Sequence, residues 1–459
     1  MRPTVASNDV FIESFEQLYG LFRASEKPPQ GRRIGAEMEK FGVRRSDGAP
    51  VTYAGSTVAV ERFLSAFVTD HGYVAEVEVP GGPVIALARD TRGVRASVTL
   101  EPGGQLELSG GAHVDLHAVK AEFDEHMNEL AATSSASDVA WLGLGFQPFA
   151  KREEYTFVPK LRYAVMKEYL PTRGTYGLDM MLRTSTVQAN FDYGSEAEAM
   201  QMLQLSMRLA PLTVALFANG PFYEGKAGDC LSYRARVWTS VDPDRSGLVP
   251  GVWAAGAGYE QYVNWVLDAP MFMFKRDSQT VDNRGQSFRD FLAKGFEGHR
   301  ATEADWEGHV NTMFPEVRLK RTLEIRGADA QNDGMAIALP ALWTGLLYDA
   351  QALGEALDRT RGLTLDVVEA ARARVPYEGP RAMLAGRTIV EWAREIVPLA
   401  AEGLSRRARA LDIADERGLL GPLLDHVARG TCPADDLLAT LGRTPAMRDV
   451  IAASEIPTA

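Results

Sequence analysis

The chain has 459 residues, 46% of them hydrophobic and 24% charged, which is ordinary for a globular protein. Its net charge of -12 argues against a general nucleic-acid binder, because such proteins need a basic surface. Two cysteines, and an N-terminus without the apolar core of a signal peptide, favour a cytoplasmic location. No apolar stretch reaches the roughly 20 residues of a membrane span. We therefore expect no nucleic-acid or membrane partner; the chain is expected to be a monomer or homodimer.

Periodicity and turn residues predict the secondary structure in chain order. The predicted elements are a helix over 11–23, a strand over 33–43, a helix over 56–71, a hairpin of 73–80 and 84–88, a strand over 98–108 broken at 102–104, a helix over 116–132, a strand over 182–193, a helix from 195 to about 218, a strand over 231–238, short helices over 288–293 and 303–310, a strand over 317–326, and helices from 339 onward. Many of these strands alternate in polarity between long helices. This pattern predicts an α+β fold with an antiparallel sheet rather than a doubly wound parallel one.

Polar side chains share one face of several predicted strands. Alternation places Gln188 and Asn190 on one face of their strand and Ala189 on the other. For a single strand, this pattern is typical of a half-buried element whose polar face is in water. The alternation recurs at Glu37 and Glu39, at Gln105 and Glu107, at Ser232, Arg234 and Arg236, and at Thr322, Glu324 and Arg326.

The residue types on these strands favour a metal–nucleotide site over a solvated face. Carboxylates hold Mg²⁺, and arginines clamp carboxylates or phosphates in a fork geometry. The histidines lack zinc-ligand spacing and no CxxC is present, so any metal is expected to be a hard cation. Lys160 and Arg162 precede a helix and suit phosphates, or simply form a solvated helix start. The GxGxxG and GxxxxGK[ST] motifs are absent, which disfavours Rossmann and P-loop nucleotide sites.

Several long motifs resemble those of the plant-type glutamate–cysteine ligases, a family also found in bacteria. They include IGAEMEKFG (34–42), EPGGQLELSG (101–110), GLDMMLRTSTVQANFDYGSE (177–196) and DWEGHVNTMFPEVRLKRTLEIRGAD (305–329). The resemblance implies a glutamine-synthetase-like fold, in which a curved antiparallel sheet forms a funnel surrounded by α-helices. It implies one catalytic domain over 1–459, with the sheet and active site in about 30–330 and a mainly helical part over about 339–459 packed on it.

The resemblance also implies a reaction and a set of site residues. ATP would phosphorylate the γ-carboxylate of glutamate, and an amino-acid amine would displace phosphate from the acyl phosphate, with two or more Mg²⁺ ions bound. The implied metal ligands are Glu37, Glu39, Glu101, Glu107 and Glu324, with Gln188 beside them. Arg326, together with either Arg234 or Arg236, would be catalytic and would bind the substrate carboxylate or the transferring phosphoryl group. Lys160 and Arg162 would face the phosphates of ATP, and the substrate pocket would include Phe272, Ala189, Asn190 and Met271.

Two departures from the family pattern fall in the implied acceptor pocket. Phe272 stands where the family has a tyrosine, and Ala189 stands where it has a valine. The first hypothesis is ligation of glutamate to cysteine in glutathione synthesis. The second keeps the reaction but uses a less polar or non-proteinogenic amino acid. The third, from another class, is a catalytically inactive relative that binds amino acids or a partner protein.

Overall fold

A computed structural model describes residues 10–54, 58–91, 93–276, 279–332 and 334–456 of the chain. Within these ranges, the principal sheet has nine strands, and every pairing in it is antiparallel. The strands are β1 Ile34–Arg44, β2 Val74–Glu76, β3 Ala86–Thr91, β4 Val94–Leu100, β5 Leu106–Ser109, β6 Val139–Leu142, β7 Val187–Phe191, β8 Val317–Leu319 and β9 Leu323–Ile325. The predicted α+β class with an antiparallel sheet is confirmed.

The strand order is β8-β9-β7-β1-β5-β4-β3-β2, and β6 pairs with the C-terminal part of β1. The long strand β1 therefore lies at the centre, between β5 and β7. Because neighbours in an antiparallel sheet keep the same side-chain alternation, the register decides which residues share a face. Ala36 pairs with Ala189, which pairs with Ile325, and all three side chains are buried in the core.

Helices surround this sheet and cover its apolar face. α12 packs on β7 and β1 and against α16, and its side chains belong to the same hydrophobic core as Ala36 and Ala189. No helix in the described ranges is both long and apolar enough to cross a membrane. The helices are α1 Phe15–Arg23, α2 Val60–His71, α3 Leu116–Ser134, α4 Leu161–Tyr169, α5 Gly177–Arg183, α6 Glu196–Arg208, α7 Ala210–Leu216, α8 Tyr233–Trp238, α9 Tyr259–Asp268, α10 Phe288–Lys294, α11 Glu303–Val310, α12 Gly334–Leu347, α13 Ala350–Thr360, α14 Leu365–Arg372, α15 Val375–Glu378, α16 Ile389–Leu411, α17 Gly421–Arg429, α18 Pro433–Leu441 and α19 Met447–Ser454.

Three predicted strands differ from the structure. Residues 233–238 form helix α8 instead of a strand, and the Ser232 hydroxyl caps it by accepting a hydrogen bond from the Ala235 amide. The predicted strand over 182–193 is shorter, because α5 extends to Arg183. The predicted strand over 317–326 is a hairpin of β8 and β9. The predicted start of α2 at Ser56 lies outside the described residues, and the described helix begins at Val60.

Candidate functional site

Four carboxylates form one end of the polar face of the sheet, which we name the acid end: Glu37, Glu39, Glu101 and Glu107. Glu39 of β1 is the direct cross-strand partner of Glu107 of β5. Burial, and then the neighbouring Glu324 and Glu107 carboxylates, raise the pKa of Glu37 to about 7. Burial, and then Glu101 and Glu107, raise the pKa of Glu39 well above its usual range. The acid end is therefore a place where like charges are held together in a poorly solvated site.

A tight turn brings Glu101 to the acid end. The Glu101 amide donates to the carbonyl of Gln105 at 2.9 Å, and Gly104 adopts a φ of +88°, which disfavours any residue with a side chain. The alternation predicted that Gln105 shares the polar face with Glu107, but its side chain bonds to backbone groups around the turn instead. Its amide nitrogen donates to the Thr184 carbonyl at 2.9 Å, and its amide oxygen accepts from the Gly103 amide. Gln105 therefore fixes the turn.

Lys160 lies beside the acid end, at the beginning of α4. Its ammonium donates to the Leu100 carbonyl at 2.7 Å, and the hydroxyl of Tyr163 lies 3.5 Å from Glu101 Oε1. Burial lowers the pKa of Lys160, although the Glu101 carboxylate opposes this shift. Arg162 is half-buried, with its guanidinium 5.6 Å from the centroid of the Tyr163 ring. The structure thus brings the two predicted phosphate-binding cations next to predicted metal ligands.

The opposite end of the polar face, which we name the cation end, consists of one carboxylate and three cations. Glu324 is fully buried and accepts from Arg318 Nε at 2.7 Å, Lys320 Nζ at 2.6 Å and Arg326 Nη1 at 2.8 Å. Burial would raise the pKa of Glu324, but the three cations outweigh it and hold the pKa well below its usual range. Three cations around one carboxylate leave this end with an excess of positive charge.

Arg318 and Lys320 were not among the site residues predicted from the sequence. Residues 317–326 alternate well enough to resemble one strand, yet the polar run at 320–322 forms the turn of the β8–β9 hairpin. This turn places Arg318 directly opposite Glu324. The three consecutive polar residues between Leu319 and Leu323 break the alternation and were the indication of a turn in the sequence.

Arg326 lies between the two ends of the polar face. Its Nη1 atom donates to Gln188 Oε1 at 2.9 Å as well as to Glu324. Gln188 is in turn the cross-strand partner of Glu37, whose carboxylate accepts from Asn190 Nδ2 at 2.9 Å. Arg326 therefore links Glu324 to Gln188, whose cross-strand partner Glu37 belongs to the acid end.

The two candidate arginines of α8 have different surroundings. Arg234 is buried, and its guanidinium donates to the backbone carbonyls of Gly327 at 3.1 Å and Arg326 at 2.6 Å. Arg236 is part-exposed and pairs with Asp229 at 3.2 Å. Residues two apart in a helix lie roughly 200° apart around its axis, whereas in a strand they share a face. The structure therefore brings Arg234 to the site and takes Arg236 away from it.

Of the four predicted pocket residues, Asn190 alone lies on the polar face. Ala189 is buried in the core on the opposite face of β7, contrary to the expectation that it lines an acceptor pocket. Met271 is buried, and its sulfur accepts from Asn283 Nδ2 at 3.1 Å. Phe272 is buried beneath the Arg245 guanidinium, 4.0 Å from its ring centroid, and contacts Tyr169 edge-on. Both departures from the family pattern are thus buried in the hydrophobic core.

Comparison with known proteins gives consistent matches over nearly the whole chain. The model of glutamate–cysteine ligase family 2 matches residues 33–453. The chloroplastic glutamate–cysteine ligase of Brassica juncea is 38% identical over 426 residues, which cover 92% of this chain and 80% of that protein. The chloroplastic enzyme of Medicago truncatula is 39% identical over 409 residues, covering 88% and 78%. The resemblance of the sequence motifs is therefore confirmed.

A solved structure has the same fold at much lower sequence identity. The glutamate–cysteine ligase of Francisella tularensis, in complex with AMP, matches with a TM-score of 0.59 and 12% identity. The match covers 94% of this chain and 88% of that chain. The expected glutamine-synthetase-like fold of carboxylate–amine ligases is confirmed.

Proposed function

The chain belongs to glutamate–cysteine ligase family 2. We propose that it joins the γ-carboxylate of glutamate to the amine of cysteine, with ATP as phosphoryl donor. It is an ATP-dependent carboxylate–amine ligase. The observation that carries the proposal is the division of the polar face into an acid end and a cation end, with Arg326 between them. Such a face can hold metal ions on one side and substrate anions on the other.

The proposed reaction needs charge compensation and alignment rather than a protein nucleophile. Phosphoryl transfer to the γ-carboxylate forms an acyl phosphate; the acceptor amine then forms the C–N bond while phosphate leaves with the electron pair of the C–O bond. Neither cysteine is suited to nucleophilic attack, since burial raises the pKa of the Cys230 thiol to about 12 and that of Cys432 well above its usual range.

Two or more Mg²⁺ ions would be held by the acid end, with Gln188 beside it. Buried carboxylates with raised pKa values are groups whose repulsion a divalent cation relieves. No three Asp, Glu, His or Cys side chains in the described part of the chain are arranged to hold a metal ion alone. Mg²⁺ commonly takes one or two carboxylates and completes its shell with water and substrate phosphates, so the residues fit. When bound, it neutralises charge on the transferring phosphoryl group.

The remaining site residues divide according to their surroundings. Lys160 and Arg162, at the acid end, would face the phosphates of ATP. Arg326 would bind the transferring phosphoryl group or a substrate carboxylate, and Arg234 would position Arg326 through its backbone carbonyl. Glu324, predicted as a metal ligand, would first hold the cations of its own end, because they already compensate its charge.

We propose cysteine as the acceptor, as the names of both plant relatives indicate. Of the departures that suggested another amino acid, Ala189 is buried in the core on the opposite face of β7, so that alternative rests on Phe272 alone. An inactive binding relative is also disfavoured, because all five predicted glutamates are present on the polar face or its turn. A cytoplasmic location stays a proposal, supported by two free and buried cysteines.

An assay of glutamate-dependent ADP release tests the proposed function. With saturating Mg²⁺, we expect release to require both glutamate and an amino-acid acceptor, with the highest kcat/KM for cysteine in a panel that includes 2-aminobutyrate and serine. Hydroxylamine should replace the acceptor and yield the γ-glutamyl hydroxamate, because it traps acyl phosphates. No ADP release under any of these conditions would refute the ligase proposal, and a clearly better acceptor than cysteine would refute the acceptor.

Replacement of each α8 arginine by Gln tests the assignment of Arg234. We expect Arg234→Gln to lower kcat by about 100-fold, because displacement of a positioned group by about 1 Å has effects of that size. Arg236→Gln is the matched control on the same helix and should stay within about threefold of wild type. The reverse order of effects in the ADP-release assay would show that Arg236 is the functional residue.

A further inference from the structure

Two adjoining cavities lie beside helix α8, and the inner one reaches Arg326. The inner cavity, of about 20 Å³, is lined by Arg234, Arg326 and Glu316, with Trp238 and Phe314 among its apolar walls. The outer cavity, of about 620 Å³, is lined by Trp238, Trp265 and several charged residues. Trp238, Gly247 and Arg372 line both cavities. The two cavities therefore adjoin at these three residues, and the inner one lies beside Arg234 and Arg326.

Glu316 is the single carboxylate among the residues that line the inner cavity. Its Oε1 atom accepts from Arg372 Nε at 2.6 Å, and its backbone carbonyl accepts from the Arg326 amide at 3.2 Å. Its side chain is 12% exposed. Within the described residues, the Oε2 atom accepts no hydrogen bond, although the side chain is largely removed from water. Glu316 thus presents one unused carboxylate oxygen, held firmly by Arg372, next to Arg326.

The volumes of the two cavities suit the two parts of an amino-acid acceptor. A space of about 20 Å³ holds one water-sized group, which is also the size of an ammonium group. The remainder of an amino acid needs more room, and the outer cavity of about 620 Å³ supplies it. A carboxylate is the natural partner for an ammonium in a poorly solvated pocket, whereas Arg234 and Arg326 alone would repel it.

We propose that Glu316 binds the ammonium of the acceptor amino acid and takes one proton from it, while Arg372 positions Glu316. This inference rests on the proposed ligase function and extends it to the second half-reaction. The proton moves from the ammonium nitrogen to the Glu316 carboxylate, which leaves a neutral amine. The nitrogen lone pair then forms the C–N bond to the acyl phosphate carbon, and phosphate departs with the C–O electron pair. The second nitrogen proton leaves to phosphate or water.

The test compares cysteine with hydroxylamine in the Glu316→Gln variant. At about pH 8, hydroxylamine is already neutral and needs no carboxylate to remove a proton, whereas cysteine presents an ammonium. We expect kcat/KM for cysteine to fall by about 100-fold, as for loss of a general base, with hydroxamate formation within about threefold of wild type. The KM for glutamate should not change. Glu316→Asp, which keeps the charge, should lose less with cysteine than Glu316→Gln.

Glu198→Gln is the matched control. The Glu198 carboxylate forms a part-buried pair with Arg32, at 2.6 Å, as Glu316 does with Arg372, but it lines neither cavity. We expect both acceptors to react normally in this variant. Equal losses with cysteine and hydroxylamine in Glu316→Gln would overturn the inference and leave the ligase proposal standing. A wild-type protein that forms neither product would overturn the ligase proposal, and the inference with it.

Discussion

Replacement of Glu39 by Gln is expected to lower kcat by about 10³-fold or more while the protein stays folded and becomes more stable. The loss of activity follows because the variant removes one of the charges proposed to hold Mg²⁺, which is a contribution of about 4 kcal/mol. The fold should persist because Glu39 Oε2 accepts from the Thr186 amide at 2.9 Å, and a Gln oxygen can accept the same bond. ADP release and thermal unfolding measure the two effects.

The gain in stability of Glu39→Gln should depend on pH. Burial, and then Glu101 and Glu107, raise the pKa of Glu39, so the folded protein binds this proton more tightly than the unfolded chain does. The wild type therefore loses stability as pH rises above the unfolded pKa of about 4.5, and Gln does not. We expect the variant and wild type to converge near pH 4.5 and to differ most at about pH 8, in the absence of Mg²⁺.

Glu129→Gln is the control for a buried glutamate outside the site. Glu129 is 8% exposed and pairs with Arg89 rather than with other carboxylates. Its replacement should lower the melting temperature and leave kcat unchanged, which is the opposite of the Glu39→Gln result. Normal turnover in Glu39→Gln would show that Glu39 does not hold a required metal ion.

Replacement of Glu324 by Gln is expected to lower the free energy of unfolding by about 3–5 kcal/mol, in addition to abolishing turnover. The physical reason is that Glu324 compensates three cations in a buried place, with Arg318 10% exposed and Arg326 13% exposed at their side chains. A neutral amide leaves these cations close together without a counter-charge. Denaturant unfolding of the variant measures the loss, and ADP release measures activity.

Glu307→Gln is the matched control for Glu324→Gln. Glu307 accepts from Arg321 Nη2 at 2.8 Å in the same region, but this pair is at the surface. Exposed ion pairs contribute about 0–1 kcal/mol to stability, so the free energy of unfolding of the control should be close to that of the wild type. If the free energy of unfolding of Glu324→Gln lay within about 1 kcal/mol of that of the wild type, Glu324 would not be needed to compensate the charge of these cations.

The two glutamate variants therefore distinguish, by their opposite effects on stability, two kinds of charged site on one face of the sheet. At the acid end, carboxylates repel each other, and their neutralisation stabilises the metal-free protein. At the cation end, one carboxylate holds several cations, and its neutralisation destabilises the protein. Both variants are expected to be inactive, so stability rather than activity distinguishes them.

Alternation in the sequence predicted the central part of the site. The spacing of Glu37 and Glu39 in β1, and of Gln188 and Asn190 in β7, places each pair on one face of its strand. The structure keeps this arrangement, and the cross-strand register brings Glu39 opposite Glu107. These residues were predictable because side-chain alternation is a local property of an extended backbone.

The same alternation was misleading in a six-residue segment. Tyr233–Trp238 has polar and apolar residues in turn, yet it forms α8 because Ser232 caps the first turn and the segment packs on α5 and α15. A pattern with a period of two cannot distinguish a short strand from a short helix. The Ser232 cap was the local indication that the sequence analysis did not use.

The sequence by itself determined the family, the antiparallel α+β class and the carboxylates of the polar face, because long motifs and side-chain alternation are local. Only the tertiary structure decided which charges meet. It placed Arg318 and Lys320 around Glu324, brought Arg234 rather than Arg236 to the site, and buried Ala189 and Phe272 in the hydrophobic core. It also brought Glu316 and Arg372, which are 56 positions apart, to the cavity beside Arg326. Contacts of this kind depend on turns and on packing between segments that are distant in the sequence. The sequence of a single chain does not show which distant segments pack together.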